Sequence, residues 1–250
     1  SINLSKMSKF IFNGCVIGDN SFFKELTDRL NLKNLKTLEI DIKVDKTKRI
    51  NPEIFNGLES ATEMKFYTHS NHTFHPKSFM KFDKLSVLEL HVYDLMEPPI
   101  PTVIFDVLKS LKSLTIISTS NNRKQLQKSL NFSISNFVNL EKFSLCGVRW
   151  PLDLQLKLPR ILLEIEIKNN QKITNLDENS FKSNEQVEKI DLSNNSITDL
   201  HPRVFWNQLQ LENIDLSFNK LRNLTEELFA MNKFLEILDL SNNYLNTLGM

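Results

Sequence analysis

The sequence predicts an α/β-type solenoid, in which short parallel strands, one from each coil of the chain, stack into a single sheet. Three segments near the C-terminus share the pattern LxxLxLxxNxL, with Leu, Ile or Val at the L positions, and begin at Val187, Leu211 and Leu235. Both steps between them are 24 residues long. Apolar residues at the fourth and sixth positions alternate like a strand with one buried face. Three copies in phase indicate a repeat fold.

Asparagine at the ninth position is the second observation. Asn195, Asn219 and Asn243 occupy this position in the three repeats, and Asn170 occupies it in the repeat before them. An amide side chain can bond the turning backbone of neighbouring coils, whose polar groups are otherwise left unpaired inside the protein. We call this ninth position the ladder position. Earlier repeats carry other residues there: Cys15, Lys43, His69, Tyr93, Thr119 and Val148.

The same frame extends towards the N-terminus with decreasing regularity and predicts about ten repeats. They begin at Met7, Leu35, Ala61, Leu85, Leu111, Leu140, Leu162, Val187, Leu211 and Leu235. A Phe recurs between strands and is expected to fill the convex side of the core: Phe55, Phe79, Phe105, Phe181, Phe205 and Phe229. We therefore expect a horseshoe with a concave parallel β-sheet and a convex side of loops and short helices. No linker interrupts the repeats, so we predict one domain over residues 1–250, irregular over about 7–161 and regular over about 162–250.

These repeats resemble the 24-residue type of leucine-rich repeat found in extracellular receptors and adhesion proteins. The N-terminal stretch FIFNGCVIGDNSFFKEL and the irregular units LKNLKTLEI and LESATEMKF resemble arthropod Toll and Toll-like receptors in particular. The chain contains no cysteine-rich caps, signal peptide, transmembrane run or signalling domain of that family, and we expect it to be an excerpt of a longer protein.

The resemblance implies the ligand-binding ectodomain of an innate-immune or developmental receptor. Its ligand would be a Spätzle-like dimeric cystine-knot cytokine, bound partly through the N-terminal concave surface, and binding would bring two receptor chains together as a homodimer. The ectodomain would lie on the extracellular face of the plasma membrane, as part of a single-pass receptor, or be secreted. N-glycans are then expected.

Candidate glycosylation sites follow the Asn-x-Ser/Thr pattern. The sequence contains five such sequons, at Asn3, Asn71, Asn131, Asn194 and Asn223. This number is close to what the composition gives by chance, so the glycosylation hypothesis depends on the fold type and not on the count.

The outward positions of the strands supply the predicted ligand-binding residues. The third, fifth and seventh residues of each repeat are expected on the concave face, and the candidate set is selected from them: Lys9, Ile11, Glu39, Asp41, Glu63, Lys65, Tyr67, Val87, Glu89, His91 and Ile117. Tyr67, Val87, His91 and Ile117 are expected to form a partly apolar, aromatic patch typical of partner sites, unless neighbouring loops cover it. The equivalent positions of the last three repeats are mostly polar, including Ser193, Ser217 and Ser241, and indicate a scaffold.

Catalysis and cofactor binding are not expected. The five glycines form neither a phosphate-binding loop nor a dinucleotide fingerprint, and no nucleophile elbow occurs. His69, His72 and His75 are close enough in sequence for a zinc site or a pH-sensitive contact. An ordinary loop is the simpler interpretation, because no cysteine or helix fixes their geometry, and no metal site is predicted.

Two other binding functions remain open. A nucleic-acid-sensing Toll-like receptor would use clustered basic and histidine residues, and its binding would weaken steeply with salt. The basic run at Lys43, Lys46, Lys48 and Arg49 is interrupted by Asp45, and the net charge is only +1, so no nucleic-acid partner is expected. A secreted or cell-surface adhesion or guidance protein of the Slit kind would share the whole repeat pattern.

Overall fold

A computed structural model describes residues 4, 6–17, 21–30, 32, 34–44, 49–69, 73–92, 102–118, 134–147, 158–171 and 173–248. The chain forms two compact units, Ser1–Asn122 and Arg123–Met250. Several predicted positions lie outside the described residues: Asn3, Asn71, His72, Tyr93, Thr119, Asn131 and Val148. No described helix is long and apolar enough to cross a lipid bilayer.

The first unit is built around five parallel strands in the order β1-β2-β4-β6-β7, with β3 and β5 forming a second, two-stranded sheet. In chain order its elements are β1 (Lys9–Ile17), α1 (Phe22–Leu30), β2 (Thr37–Val44), β3 (Arg49–Ile50), a 3₁₀ helix (Pro52–Phe55), β4 (Glu63–Tyr67), β5 (Thr73–Phe74), β6 (Val87–Val92), a 3₁₀ helix (Thr102–Ile104) and β7 (Ser113–Ser118). Helix α1 packs the buried Phe23 edge-on against Phe12 of β1, with ring centroids 5.2 Å apart.

The second unit repeats this plan with shorter strands. Its main sheet has the order β8-β9-β11-β13-β15, and two further pairs, β10-β12 and β14-β16, also run parallel. The elements are β8 (Lys142–Cys146), β9 (Glu164–Lys168), β10 (Asn175–Leu176), β11 (Lys189–Asp191), β12 (Asp199–Leu200), β13 (Asn213–Asp215), β14 (Asn223–Leu224), a 3₁₀ helix (Glu226–Phe229), β15 (Ile237–Asp239) and β16 (Thr247–Leu248).

The predicted repeat frame is confirmed. A main-sheet strand begins two residues after each of the ten predicted repeat starts. The fourth and sixth residues are buried in eight of these strands, as Leu38 and Ile40 in β2 and Ile190 and Leu192 around β11 illustrate. In β1 and β15, each with one described neighbour in its unit, the corresponding residues are half-buried or exposed, and Leu238 is 40% exposed. The chain is therefore a parallel-sheet solenoid.

The predicted phenylalanine column fills the space behind the sheets. Phe181 stacks on Phe205 with ring centroids 6.0 Å apart, and Phe205 stacks on Phe229 at 5.8 Å with an interplanar angle of 6°. In the first unit Phe55 stacks on Phe79 at 5.7 Å. Consecutive coils thus place one ring on the next, which explains the recurrence of Phe at this position.

The asparagine ladder is confirmed in the regular repeats. Asn195 Nδ2 donates to the carbonyl oxygens of Ile167 and Leu192, both at 2.7 Å, while Asn195 Oδ1 accepts from the Asn170 backbone amide at 2.8 Å. Asn219 bonds the coil before it in the same way. Each ladder side chain therefore ties the backbone of two successive coils together inside the protein.

The ladder assignment is wrong for the first two repeats. Cys15 and Lys43 lie within strands, because β1 and β2 stay paired as far as Ile17 and Val44 and do not turn at the ninth position. A register shift falls between Asn13 and Cys15, where Gly14 adopts a φ of 72° that favours glycine. The bulge absorbs an additional residue and lets the long strands remain in register.

The ladder assignment is also wrong at His69. Its side chain is 31% exposed, and its Nε2 contacts the Asp41 carboxylate on the outside of the sheet. The preceding residue, Thr68, is buried instead, and its backbone amide donates to the His91 carbonyl oxygen at 2.8 Å. An imidazole ring has a polar nitrogen on each edge, and both nitrogens find hydrogen-bond partners more easily beside a surface carboxylate than inside the coil.

Candidate ligand-binding face

The outward side chains of β1, β2, β4, β6 and β7 form one surface, which we call the outer face of the first unit. Alternation sets their direction, because β4 and β6 bury every second residue and leave the others exposed or half-exposed. All eleven predicted binding residues lie on these strands at outward positions. Ile11 is the most exposed apolar residue among them, at 54%.

Tyr67 and His91 are in direct contact on this face. They are register partners in the neighbouring strands β4 and β6. Their rings stack with centroids 4.3 Å apart and an interplanar angle of 25°. The His91 side chain is only 14% exposed, because Tyr67 and its neighbours cover much of it.

Two charged residues complete the group. Lys65 Nζ lies 2.9 Å from Glu89 Oε1 and 5.5 Å from the centre of the Tyr67 ring. Glu89 Oε1 also contacts Nε2 of His91. We call Lys65, Tyr67, Glu89 and His91 the aromatic–charge cluster. It presents a rigid aromatic pair next to an ion pair, a combination suited to a partner that has both apolar and charged groups.

The cluster holds its charges at neutral pH. The hydrogen bond that Lys65 donates to Glu89 raises the pKa of Lys65 above its ordinary value. Partial burial raises the pKa of Glu89, but the hydrogen bonds from Lys65 and His91 outweigh burial, and the resulting pKa lies below its ordinary value. The ammonium and the carboxylate are therefore both ionised across the physiological range.

The rest of the predicted apolar patch is less continuous than expected. Val87 is 37% exposed at the start of β6, and Glu89 lies between it and His91. Ile117 is the register partner of His91 in β7 and is half-buried. Only Tyr67 and His91 stack, and a carboxylate divides the apolar surface because outward residues alternate along a strand.

The remaining predicted residues lie around the cluster. Asp41 is the register partner of Tyr67 in β2, and its carboxylate contacts His69. Glu63 accepts a hydrogen bond of 3.1 Å from Thr37, and Glu39 accepts one of 3.3 Å from Asn13. Lys9 and Ile11 lie on β1, at the edge of the described sheet of this unit. The outer face thus carries paired side chains over several neighbouring strands.

The second unit has a different outer face, which the sequence analysis did not single out. Six side chains of alternating charge form a chain of ion pairs over β8, β9 and β11, which we call the ion-pair network: Lys142, Glu164, Glu166, Lys168, Lys189 and Asp191. The sequence signal is the alternation of Lys and Glu at outward positions of neighbouring repeats, which becomes visible once the repeats are aligned.

Lys142 is the centre of this network. Its Nζ lies 3.0 Å from Glu164 Oε2 and 2.8 Å from Glu166 Oε1. Lys168 extends the network to Asp191, with 3.0 Å between Nζ and Oδ2. Because each charged side chain has a neighbour of opposite charge, little unpaired charge on this surface is left for a ligand.

The serines predicted to face outwards in the regular repeats behave differently. Ser193 and Ser217 are 8% and 4% exposed, so the prediction of exposure is wrong for both. Strand β11 ends at Asp191, and the Asp191 carboxylate accepts hydrogen bonds from the Ser193 backbone amide at 2.9 Å and from its hydroxyl at 2.6 Å. These two hydrogen bonds to the Asp191 carboxylate form the turn after β11 and hold Ser193 in a buried position.

The histidines do not form a common site in the described part of the chain. His69 contacts Asp41, whereas His75 Nδ1 accepts a hydrogen bond of 3.1 Å from the Lys77 backbone amide. No group of three or more His, Cys, Asp or Glu residues among the described positions has the geometry to hold a metal ion.

Comparison with known proteins agrees with the repeat fold. A family model described as leucine rich repeat matches residues 162–221. No curated protein matches the sequence. Among solved structures, the Toll–Spatzle complex, a molecular hub in Drosophila development and innate immunity, has a similar chain with a TM-score of 0.64 and 20% identity. A TLR13–ssRNA13 complex contains another, with a TM-score of 0.55 and 19% identity.

Both similarities extend over nearly the whole chain and over a part of the other protein. Each covers 93% of this chain, but only 33% of the Toll chain and 27% of the TLR13 chain. At this level of identity the likeness concerns the fold. The chain has a leucine-rich repeat solenoid fold, and the resemblance to Toll and Toll-like receptors predicted from the sequence is confirmed at the level of that fold.

Proposed function

We propose that this chain is part of the ligand-binding ectodomain of a Toll-like receptor, outside the cell, and that the outer face of the first unit contacts a protein ligand. The aromatic–charge cluster carries this proposal. The similarity of the chain to Toll in the Toll–Spatzle complex supports a Spätzle-like cystine-knot cytokine as the ligand and ligand-promoted receptor dimerisation as the result.

The physical properties of the cluster favour a protein partner. Binding hot spots are enriched in aromatic and cationic side chains in partly desolvated surroundings. Tyr67, His91 and Lys65 combine these properties on adjacent strands. Because the sheet already fixes the stack and the ion pair, little side-chain entropy remains to be lost when a ligand binds.

RNA is a second candidate ligand, because the other similar structure is a complex with single-stranded RNA. An RNA groove needs cations directed at phosphates and aromatic rings directed at bases. On the outer face of the first unit, Lys65 is neutralised by Glu89, and His91 contacts the same carboxylate. The chain as a whole has a net charge of only +1. These features favour a protein ligand over RNA.

Binding of a dimeric cystine-knot cytokine to the secreted chain, measured by surface plasmon resonance, tests the proposal. Replacing both rings in a Tyr67→Ala/His91→Ala variant removes the stacked pair. We expect Kd to rise at least about tenfold, which corresponds to a loss of about 1.4 kcal/mol of binding free energy. Tyr67→Phe keeps the ring and should bind nearly as well as the wild type.

Lys189→Ala is the matched control, because Lys189 is an exposed outward residue of the second unit. Its Kd should equal that of the wild type. Unchanged affinity in the Tyr67→Ala/His91→Ala variant would exclude the cluster as the contact. Binding of single-stranded RNA in place of the cytokine, with an affinity that falls steeply as salt rises, would favour the second candidate.

A further inference from the structure

A column of left-handed residues runs along the turns that follow the strands of the second unit. Asn169, Asn194, Phe218 and Asn242 occupy the eighth position of their repeats and have φ values of 60°, 55°, 53° and 54°. Asparagine is enriched in this region of backbone space, because its short polar side chain can bond locally. A bulky phenylalanine is an outlier there. Phe218 is the exception in the column.

Neither packing in the core nor backbone hydrogen bonding explains why residue 218 is a phenylalanine. Its side chain is 52% exposed, so it contributes little to packing. Its backbone amide donates to the Ser241 carbonyl oxygen at 2.9 Å, a bond that any residue can make. Described coils lie on both sides of it, and its exposure is therefore a property of the turn. What distinguishes Phe218 from the asparagines of the column is an exposed apolar ring, which is available to a group outside the polypeptide.

Asn194 lies beside Phe218 in the preceding coil. The Asn194 backbone amide donates to the Ser217 carbonyl oxygen at 3.0 Å, and the strands leading to the two turns pair in register. Because the two residues have matching φ values at equivalent positions of their turns, their Cα–Cβ bonds point in the same direction. The two residues are about 4.8 Å apart, the spacing of neighbouring strands. A group attached to one of these side chains therefore lies alongside the other side chain.

Asn194 is also the residue of the column that can be modified. It begins the sequon Asn194-Asn195-Ser196 and is exposed, whereas Asn169 and Asn242 are followed two residues later by Gln171 and Tyr244. A glycan added to the Asn194 amide would place its first sugar at the height of the Phe218 ring. The sequon at Asn194 and the exposed ring of Phe218 thus lie next to each other, in the turns of two neighbouring coils.

We propose that Asn194 carries an N-linked glycan whose first N-acetylglucosamine packs its apolar C–H face against the Phe218 ring. The inference rests on the extracellular location in the proposed function. In the modification, the Asn194 amide nitrogen loses a proton and bonds to the anomeric carbon of a lipid-linked oligosaccharide, and the lipid pyrophosphate leaves. The sugar then covers apolar surface that is otherwise in contact with water.

Thermal unfolding of the chain secreted from a glycosylating host tests this contact. Four proteins form the cycle: wild type, Ser196→Ala, Phe218→Asn and the double variant. Ser196→Ala removes only the Asn194 sequon, and Phe218→Asn introduces the residue that the column otherwise uses without creating a new sequon. A contact comparable to an aromatic pair should make Tm about 2–4 °C higher in the wild type than in Ser196→Ala. Ser196 is itself buried, so the difference found between the same two proteins made without glycosylation is subtracted first. In the Phe218→Asn background the remaining difference should vanish.

Two further measurements make the outcome specific. Glycopeptide mass spectrometry should find Asn194 occupied. After trimming to a single N-acetylglucosamine, the sugar C–H protons should show upfield ring-current shifts in NMR spectra that disappear in Phe218→Asn. The same four proteins made without glycosylation control for direct coupling between residues 196 and 218. Asn223, a sequon in the separate strand β14, should show no coupling to Phe218.

An unmodified Asn194 on a chain whose other sequons carry sugar would overturn this inference and leave the proposed function unaffected. So would an occupied Asn194 with equal Tm differences in both backgrounds and no ring-current shift. If every sequon of the secreted chain is bare, the inference fails as well. Cytokine binding by the first unit is measured independently, so its failure would count against the proposed function alone.

Discussion

At the scale of single residues, the ladder asparagines hold the regular coils together. Asn219 Nδ2 donates to the Leu192 and Leu216 carbonyl oxygens at 2.9 and 3.0 Å, and its Oδ1 accepts from the Ile197 backbone amide at 3.0 Å. The residue is 4% exposed. These backbone groups belong to a turn and have no sheet partner. The amide side chain therefore provides the hydrogen bonds that a neighbouring strand would otherwise provide.

Asn219→Ala should therefore destabilise the second unit. The variant leaves several buried backbone groups unpaired, and each costs about 1–3 kcal/mol, so we expect a loss of about 3 kcal/mol. Urea unfolding followed by circular dichroism measures it through the transition midpoint. The exposed neighbour Lys220 provides the control, and Lys220→Ala should stay within about 0.5 kcal/mol of the wild type. Equal midpoints for Asn219→Ala and Lys220→Ala would contradict a structural role for the ladder.

At the scale of elements, the ion-pair network links β8, β9 and β11 through the charge of their outward residues. The hydrogen bond from Lys142 lowers the pKa of Glu164. Burial raises the pKa of Glu166, but the hydrogen bond from Lys142 helps to bring it below its ordinary value. Burial lowers the pKa of Lys142 itself, yet its bonds to Glu166 and Glu164 prevail and raise it.

The direction of these shifts fixes the pH dependence. A carboxylate with a lowered pKa stabilises the fold above its unfolded pKa of about 4.3, and this contribution is lost as pH falls through the folded value. A lysine with a raised pKa contributes below about 10.4, and its contribution is lost as pH rises through the folded value. The network therefore stabilises the second unit most between these limits.

Lys142→Met should remove most of this stabilisation while keeping the aliphatic part of the side chain. We expect a loss of about 1 kcal/mol at pH 7, since the partners are partly exposed and solvent screens them. The loss should shrink as pH is lowered from 7 to about 3, since each carboxylate's contribution is lost as pH falls through its folded pKa. Urea midpoints at both pH values measure it, with Lys233→Met, an exposed lysine outside the network, as control. A loss that is as large at pH 3 as at pH 7 would assign the effect to packing.

The elements also show how far the sequence determines the structure. Spacing alone predicted all ten main-sheet strands, because burying the fourth and sixth positions requires a strand there. It failed at Cys15 and Lys43, where pairing between long neighbouring strands overrides the local turn. It predicted that Tyr67 and His91 share a face, but their stacking and the contact of Glu89 with both neighbours depend on side-chain rotamers. Rotamers have no periodic signal in the sequence.

At the scale of the whole molecule, a solenoid is stabilised by contacts between successive coils. Stability is then approximately a sum of coil and nearest-neighbour terms, and a local defect should spread only to adjacent coils. In the second unit, Asn219 joins the coil of β11 to that of β13, and the Phe218 amide joins β13 to the coil of β15. These bonds define the region that a defect at Asn219 can reach.

Hydrogen exchange in Asn219→Ala measures this reach. We expect amide exchange to accelerate over residues 189–239, which include β11, β13 and β15, because opening these coils no longer breaks the ladder bonds. Peptides covering β2, β4 and β6 of the first unit should exchange at the wild-type rate. The Lys220→Ala control should leave both regions unchanged. Equal acceleration in the two units would instead show that they open together as one cooperative unit.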